Sequence, residues 1–171
     1  MAKEEKAKSK SKKSKEAVKD GDKVAAAPVP YDVRMQAVTV ISKPMANEKQ
    51  TLKFYKLLKA AAKDKIARRG VKEVCKGIRQ GRKGICVIAG DISPIDVISH
   101  LAYHCEEKGV HYIYVPSKVD LGAAAKTKRP TSCVLVTPPP EKKQAEWESL
   151  ELFQKLTEVC TKEMSQVPKP S

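Results

Sequence analysis

Aromatic residues are scarce in this chain: two Phe, one Trp and five Tyr amount to 5% of its 171 residues. A platform that stacks successive single-stranded bases needs several exposed rings, so this composition argues against one. Long apolar runs are also missing. None approaches the roughly 18 residues a membrane span requires, and the first residues lack the apolar core of a signal peptide, so no membrane partner is expected. The five cysteines (75, 86, 105, 133 and 160) include no Cys-x-x-Cys pair. An odd number of isolated cysteines fits a reducing compartment and small buried thiols better than a disulfide framework. His100 and His104 stand four apart on an expected helix, but no Glu lies between them in the metalloprotease pattern and no third ligand is evident. No metal or cofactor is expected.

Catalytic patterns are absent too. No expected strand leads into Gly-x-Gly-x-x-Gly or a Walker loop. Neither a Ser/His/Asp cluster nor a pair of carboxylates stands out, and Asp91, between a strand and a helix, reads as a turn residue. An enzyme on a nucleotide-binding sheet is therefore the weaker alternative, and no catalytic residue is assigned. Acid is likewise in deficit, with 34 Lys and Arg against 20 Asp and Glu, a formal charge of +14. Such an excess favours a polyanion, nucleic acid first and an anionic membrane surface second.

What is present centres on residues 68–76, Arg-Arg-Gly-Val-Lys-Glu-Val-Cys-Lys. Gly70 can start a helix whose first backbone N–H groups stay unpaired and partly positive. Lys72, Lys76, Arg79 and Lys83, spaced by four, three and four, fall on one stripe at about 100° per residue. Val71, Val74, Cys75 and Ile78 form a separate apolar stripe for a core. Glu73 among the cations has two readings. It makes surface ion pairs worth a few tenths of a kcal/mol, or it accepts from a base N–H while a lysine donates to base acceptors.

Around that centre, residues 1–30 read as a lysine-rich, disordered arm with an Ala/Pro linker. A single domain follows over 31–164, and 165–171 read as a disordered tail. Residues 33–42 mix helix and strand formers and stay untyped. Residues 47–68 read as an amphipathic helix with Leu52, Tyr55, Leu58, Ala62 and Ile66 inward. Strands are expected at 85–89, 111–115 and 133–137. Ser93 caps a helix over 93–107, with Pro94 at its first position and Ile95, Ile98, Leu101, Ala102 and Cys105 inward. A short helix follows over 119–125, and a terminal one over 141–164 carries Trp147, Leu150, Phe153, Leu156 and Val159. The alternation predicts an α/β fold, a three-layer α/β/α sandwich with a small, mostly parallel mixed sheet. Loops 90–93 and 116–118 both follow strands, where such sheets gather ligands. If those strands are neighbours, the loops meet near the start of the Gly70 helix.

Several motifs, in order, carry a resemblance: residues 68–76, Ala-Gly-Asp-Ile-Ser-Pro at 89–94, Val-Pro-Ser-Lys at 115–118, Leu-Gly-Ala-Ala-Ala at 121–125 and Lys-Arg-Pro-Thr at 128–131. Over about residues 50–137 the chain resembles the kink-turn RNA-binding family of small ribosomal and ribonucleoprotein proteins, most of all its eukaryotic H/ACA branch. The resemblance implies a protein that binds bent, internally looped RNA without catalysis. Arg69, Gly70, Lys72, Glu73 and Lys76 would approach tandem sheared G·A pairs, Glu73 taking guanine N–H donors and Lys76 guanine acceptors. Val115, Pro116, Ser117 and Lys118, with Val97 beneath, would cover a flipped-out nucleotide, and Arg129 would meet the backbone nearby. RNA sequence is usually read at such splayed bases, because an A-form helix hides its base edges.

Two positions depart from the family pattern: Lys72 stands where Asn is usual, and Ser93 where many members carry Glu. An ammonium only donates and favours phosphate, whereas an amide donates and accepts in fixed directions. The expectation is affinity for folded RNA with weak kink-turn discrimination. Implied partners are an H/ACA guide RNA, a pseudouridine synthase and two small core proteins, with the chain monomeric in a particle of the nucleolus and Cajal bodies. The alternative within the class is a kink-turn-binding ribosomal or box C/D ribonucleoprotein subunit.

Overall fold

The computed structural model describes residues 30–139, 147 and 149–166. The lysine-rich arm, the start of the expected terminal helix and the last five residues lie outside the described residues. Among these residues six helices and four strands follow in order: α1 (Tyr31–Gln36), α2 (Glu48–Lys63), β1 (Ala67–Arg69), α3 (Val71–Arg79), β2 (Ile85–Ala89), α4 (Asp96–Glu107), β3 (His111–Val115), α5 (Lys118–Ala124), β4 (Cys133–Val136) and α6 (Leu150–Gln166). The strands lie in the order β1-β4-β2-β3. Helices α3 and α4 pack on one side of the sheet, and α2, α5 and α6 pack together on the other. Every residue of β2 is buried, as expected of a strand covered on both faces.

The α/β sandwich is borne out, but the sheet is not mostly parallel. Only β2 and β3 are parallel; β4 runs antiparallel to both β1 and β2. The cause is the brevity of α5. Its seven residues rise about 10 Å, so the chain turns back at the sheet edge where β3 ended and enters β4 from there. Ile88, near the end of β2, faces Cys133, the first residue of β4.

Other expectations shift at the element ends. The long helix stops at Lys63, Asp64 serves as its C-cap, and Lys65 adopts a positive φ of 58°. The chain then re-enters as β1, an edge strand whose first two residues read in the sequence as the end of the 47–68 helix. The inward stripe of α2 is Thr51, Phe54, Leu57, Leu58 and Ala61, while Leu52 stays 57% exposed. Asn47 donates its backbone N–H to Gln50 Oε1 at 2.8 Å, half of a capping box. Ser93 caps nothing: α4 starts at Asp96, Ile95 is its N-cap, and Ile95 is exposed. Ile98, Leu101 and Cys105 do line its buried face. In α6, Phe153, Leu156 and Cys160 are buried, Trp147 packs against Phe153, and the helix runs two residues past the expected end.

The untyped segment 33–42 has two parts. Its start forms α1, and the rest is a strap whose Thr39 N–H donates to Gly90 O. Beyond it, Tyr114 N–H donates to Pro44 O and Ala46 N–H to Tyr114 O, so the strap's continuation covers the open edge of β3.

Candidate nucleic-acid interface

Strand directions decide what comes together. In this sheet β1, β2 and β3 all end at the edge where β4 begins. The start of α3 and the loops 90–95, 115–118 and 126–132 therefore converge there. Backbone hydrogen bonds tie them: Gly70 N–H to Cys133 O (2.9 Å), Ala89 N–H to Ser132 O (2.8 Å), Gly90 N–H to Val115 O (2.8 Å) and Thr131 N–H to Lys118 O (3.1 Å). Asp91 Oδ1 accepts the Lys118 N–H at 2.8 Å, and Lys118 Nζ donates to Asp91 O at 3.2 Å. The expected meeting of the 90–93 and 116–118 loops near Gly70 is what the fold produces.

Gly70 is the N-cap of α3, at φ 89° and ψ 147°, a conformation side chains resist. No side chain caps this helix start. Val74 and Ile78 are buried and Val71 and Cys75 half-buried, so the apolar stripe faces the core. Lys72, Glu73 and Lys76 are exposed on the other side, and among the described residues none of them makes an ion pair or side-chain hydrogen bond. The ion-pair reading of Glu73 thus finds no partner among them. The basic stripe ends sooner than its spacing suggests, because α3 stops at Arg79 and Gln80 is its C-cap. Lys83 falls in the connection to β2.

The other candidates divide into surface and support. Arg129 is exposed, and Ser117, Lys118 and Val97 are half-buried at the edge. Arg69, though exposed, donates through Nη1 to Ala125 O at 2.9 Å, a tie between the end of β1 and the end of α5. Val115 is fully buried and its carbonyl is taken by Gly90 N–H; Pro116 is buried as well. The Val115 side chain thus belongs to the core and sets the path of the loop, while Pro116 lines a cavity at this edge. They are the last β3 residue and the first past it.

Two supporting residues escaped the sequence reading. Asp91 fastens two loops rather than shaping one turn, and burial pushes its carboxyl above the ordinary range despite the Lys118 N–H. Gly122 lies within α5 where an added Cβ would stand 2.4 Å from Arg129 O, so its bare Cα lets the 126–132 loop rest on α5. A lone glycine inside a helical pattern was the available signal. Elsewhere, Cys75 Sγ lies 3.7 Å from His100 Nε2, yet among the described residues no group of three His, Cys, Asp or Glu is placed to hold a metal ion. Nor is any described helix long and apolar enough to cross a membrane.

With this geometry in place, the likenesses are consistent. The family model described as ribosomal protein L7Ae/L30e/S12e/Gadd45 matches residues 52–146. An H/ACA ribonucleoprotein complex subunit 2-like protein of Arabidopsis thaliana is 60% identical over 102 residues, 60% of this chain and 65% of that protein. The chain thus spans just under two thirds of that relative's length. A protein of the same description from Xenopus laevis is 49% identical over 126 residues, covering 74% of this chain and 85% of its own. H/ACA ribonucleoprotein complex subunit 2 of Bos taurus is 51% identical over 116 residues, 68% of this chain and 76% of that one. Among solved structures, a Giardia lamblia 15.5kD RNA binding protein superposes with a TM-score of 0.65 at 28% identity. That match covers 76% of this chain and all of the other.

Proposed function

The chain belongs to the ribosomal protein L7Ae/L30e/S12e/Gadd45 family, and from that premise we propose that it is a non-catalytic RNA-binding subunit of an H/ACA ribonucleoprotein that directs rRNA pseudouridylation in ribosome biogenesis. The observation that carries this reading is the single sheet edge to which the α3 start and three loops are tied, with Lys72, Glu73 and Lys76 beside it and unpartnered among the described residues. Free donors, one free acceptor and a helix start with open N–H groups suit splayed RNA bases flanked by phosphates. The names of relatives at 49–60% identity support the H/ACA setting over a ribosomal or box C/D one, as does Lys72 in place of the usual Asn.

In this reading Glu73 accepts guanine N–H groups, Lys76 donates to guanine acceptors and Lys72 meets phosphate. Ser117, Lys118, Val97 and Arg129 surround a flipped-out nucleotide. The partners are a guide RNA, a pseudouridine synthase and two small core proteins, in a nuclear and nucleolar particle holding one copy of this chain. With no Asn at 72 and no Glu at 93, kink-turns are held only moderately better than other folded RNA, and partner proteins supply the rest of the placement.

Competition between a kink-turn RNA and the same hairpin with its G·A pairs replaced tests this, and a preference of a thousandfold or more would refute weak discrimination. If about five phosphates are contacted, log K against log salt slopes near −4. Absence of stoichiometric binding to either RNA would sink the function itself.

A further inference from the structure

Beside the proposed RNA edge lies a cavity of about 380 Å³ that shares Ser117 and Arg129 with the flipped-nucleotide reading and otherwise lies outside it. Its walls come from α1, α5 and the 126–132 loop, with Asp91, Pro116 and Ser117 completing the lining; Val97 and Lys118 are not part of it. Building on the function proposed above, we propose that this cavity takes a second unpaired nucleotide of the bound RNA, the base between the α1 and α5 walls and the phosphate at the loop.

Three features of the cavity carry this. First, its size lies within the range of small-ligand sites, and its lining follows their pattern of apolar walls with a few convergent polar groups. Val33 on α1 and Val119 on α5 are 50% and 47% exposed, large apolar side chains left uncovered at its sides. With the rings of Pro116 and Pro130 they offer aliphatic faces to a base.

Second, the polar groups suit a nucleotide. Lys128 and Arg129, both exposed, supply cations for a phosphate. Asp91 and Asp120 each commit one oxygen, to Lys118 N–H and to the Arg34 guanidinium, which leaves the other oxygen for a base N–H. A purely aliphatic side chain from a protein would leave these groups without a role. Third, position favours RNA. Arg129 and Ser117 line the cavity and also belong to the proposed edge, so a strand leaving the flipped nucleotide meets the cavity next. The Arg34–Asp120 ion pair joins α1 to α5, so the untyped stretch of sequence builds one wall and holds it in place.

Val119→Trp and Ala123→Leu fill the cavity from positions exposed to solvent, so neither has to disturb the core. The probe is a kink-turn RNA with 4-thiouridine placed at each unpaired position in turn. Photocrosslinking to the full chain should give adducts at residues 119–130 from one position, and a different position should crosslink near Val97. Both variants should bind this RNA about tenfold more weakly, with thermal midpoints like the parent's. An RNA abasic at the crosslinking position should bind the parent about tenfold more weakly and no longer distinguish parent from variants. Parental affinity in both folded variants, or adducts confined to residues near Val97, overturns the proposal. So does a result in which the variants keep RNA binding but lose a co-purifying protein, which would assign the cavity to that protein. Failure of the underlying function looks different: the parent would then bind no RNA stoichiometrically.

Discussion

Two regions meet at the candidate interface and are built on opposite terms. The loops 90–95, 115–118 and 126–132 are bound to one another and to the sheet by backbone hydrogen bonds, with Asp91 and Arg69 adding side-chain ties. The outer face of α3 offers Lys72, Glu73 and Lys76 with no partner among the described residues. The contrast shows where ordering cost falls. The loops were ordered when the protein folded, whereas the three long side chains still have rotamer freedom to lose on binding. Shape is therefore fixed on one side of the site and adaptable on the other. Loop changes should cost stability, and helix changes should cost binding alone.

The largest effect expected belongs to the loops. Gly122→Ala would bring a Cβ within 2.4 Å of the Arg129 carbonyl, a backbone atom that cannot rotate away. Overpacking of this kind costs typically 1–3 kcal/mol, and the upper end, about 3 kcal/mol, is expected here. Urea unfolding measures it. Should Gly122→Ala unfold like the parent, the loop does not rest on α5 and the rigid half of the comparison fails.

Next comes the helix. Glu73→Ala should leave unfolding within about 0.5 kcal/mol of the parent, as exposed unpartnered positions do. It should nevertheless weaken a kink-turn RNA relative to a plain duplex by about 2 kcal/mol, the middle of the range for a specific base contact. Titration of both RNAs decides it. Equal losses on the two would reduce Glu73 to a bystander among the lysines.

The same contrast explains what the sequence could tell. The apolar stripe of α3, its glycine start and the β2 and β3 runs are local patterns, and each stands where its spacing places it. β1 was hidden because three residues with a half-exposed pattern give no period. The facing of α2 was hidden because Leu57 and Leu58 are adjacent and fit two stripes. The direction of β4 was hidden because it depends on how far a seven-residue helix carries the chain. The free side chains at the site were legible as chemistry, whereas the ties made by Asp91, Arg69 and Gly122 depend on elements distant in sequence. The burial of Val115 was hidden for that reason: its motif marks a loop, and only the sheet shows that the core takes its side chain.

A smaller effect separates two roles at one residue. Asp91→Ala removes the acceptor of the Lys118 N–H and should cost about 1 kcal/mol. Asp91→Asn keeps an oxygen there and should cost less. Burial raises the native carboxyl's pKa above the unfolded one. The native state then holds its proton more tightly, so this group's contribution to stability falls as pH rises from the ordinary carboxylate range through the raised native value. Asp91→Asn should flatten that part of the stability–pH curve while the loop stays clipped. An unchanged curve would mean that Asp91 is solvated in the native state.

The smallest effect tests the edge of the site. Lys83 shares a helical spacing with Lys72, Lys76 and Arg79, but α3 ends before it, and Lys83 precedes β2 at the end of the strand away from Gly90. Five strand residues span about 16 Å, beyond the screening length of about 10 Å at 0.1 M salt. Lys83→Ala should therefore change kink-turn affinity less than about twofold and leave the salt slope alone. Lys72→Ala, on the exposed face beside Glu73, should remove about 0.9 from the slope, as the loss of one phosphate contact does. Binding curves at four or five salt concentrations distinguish them. Equal slope losses from both substitutions would place RNA along the whole length of α3 and past its end, and the adaptable region would then be a basic stripe rather than the three side chains at the helix start.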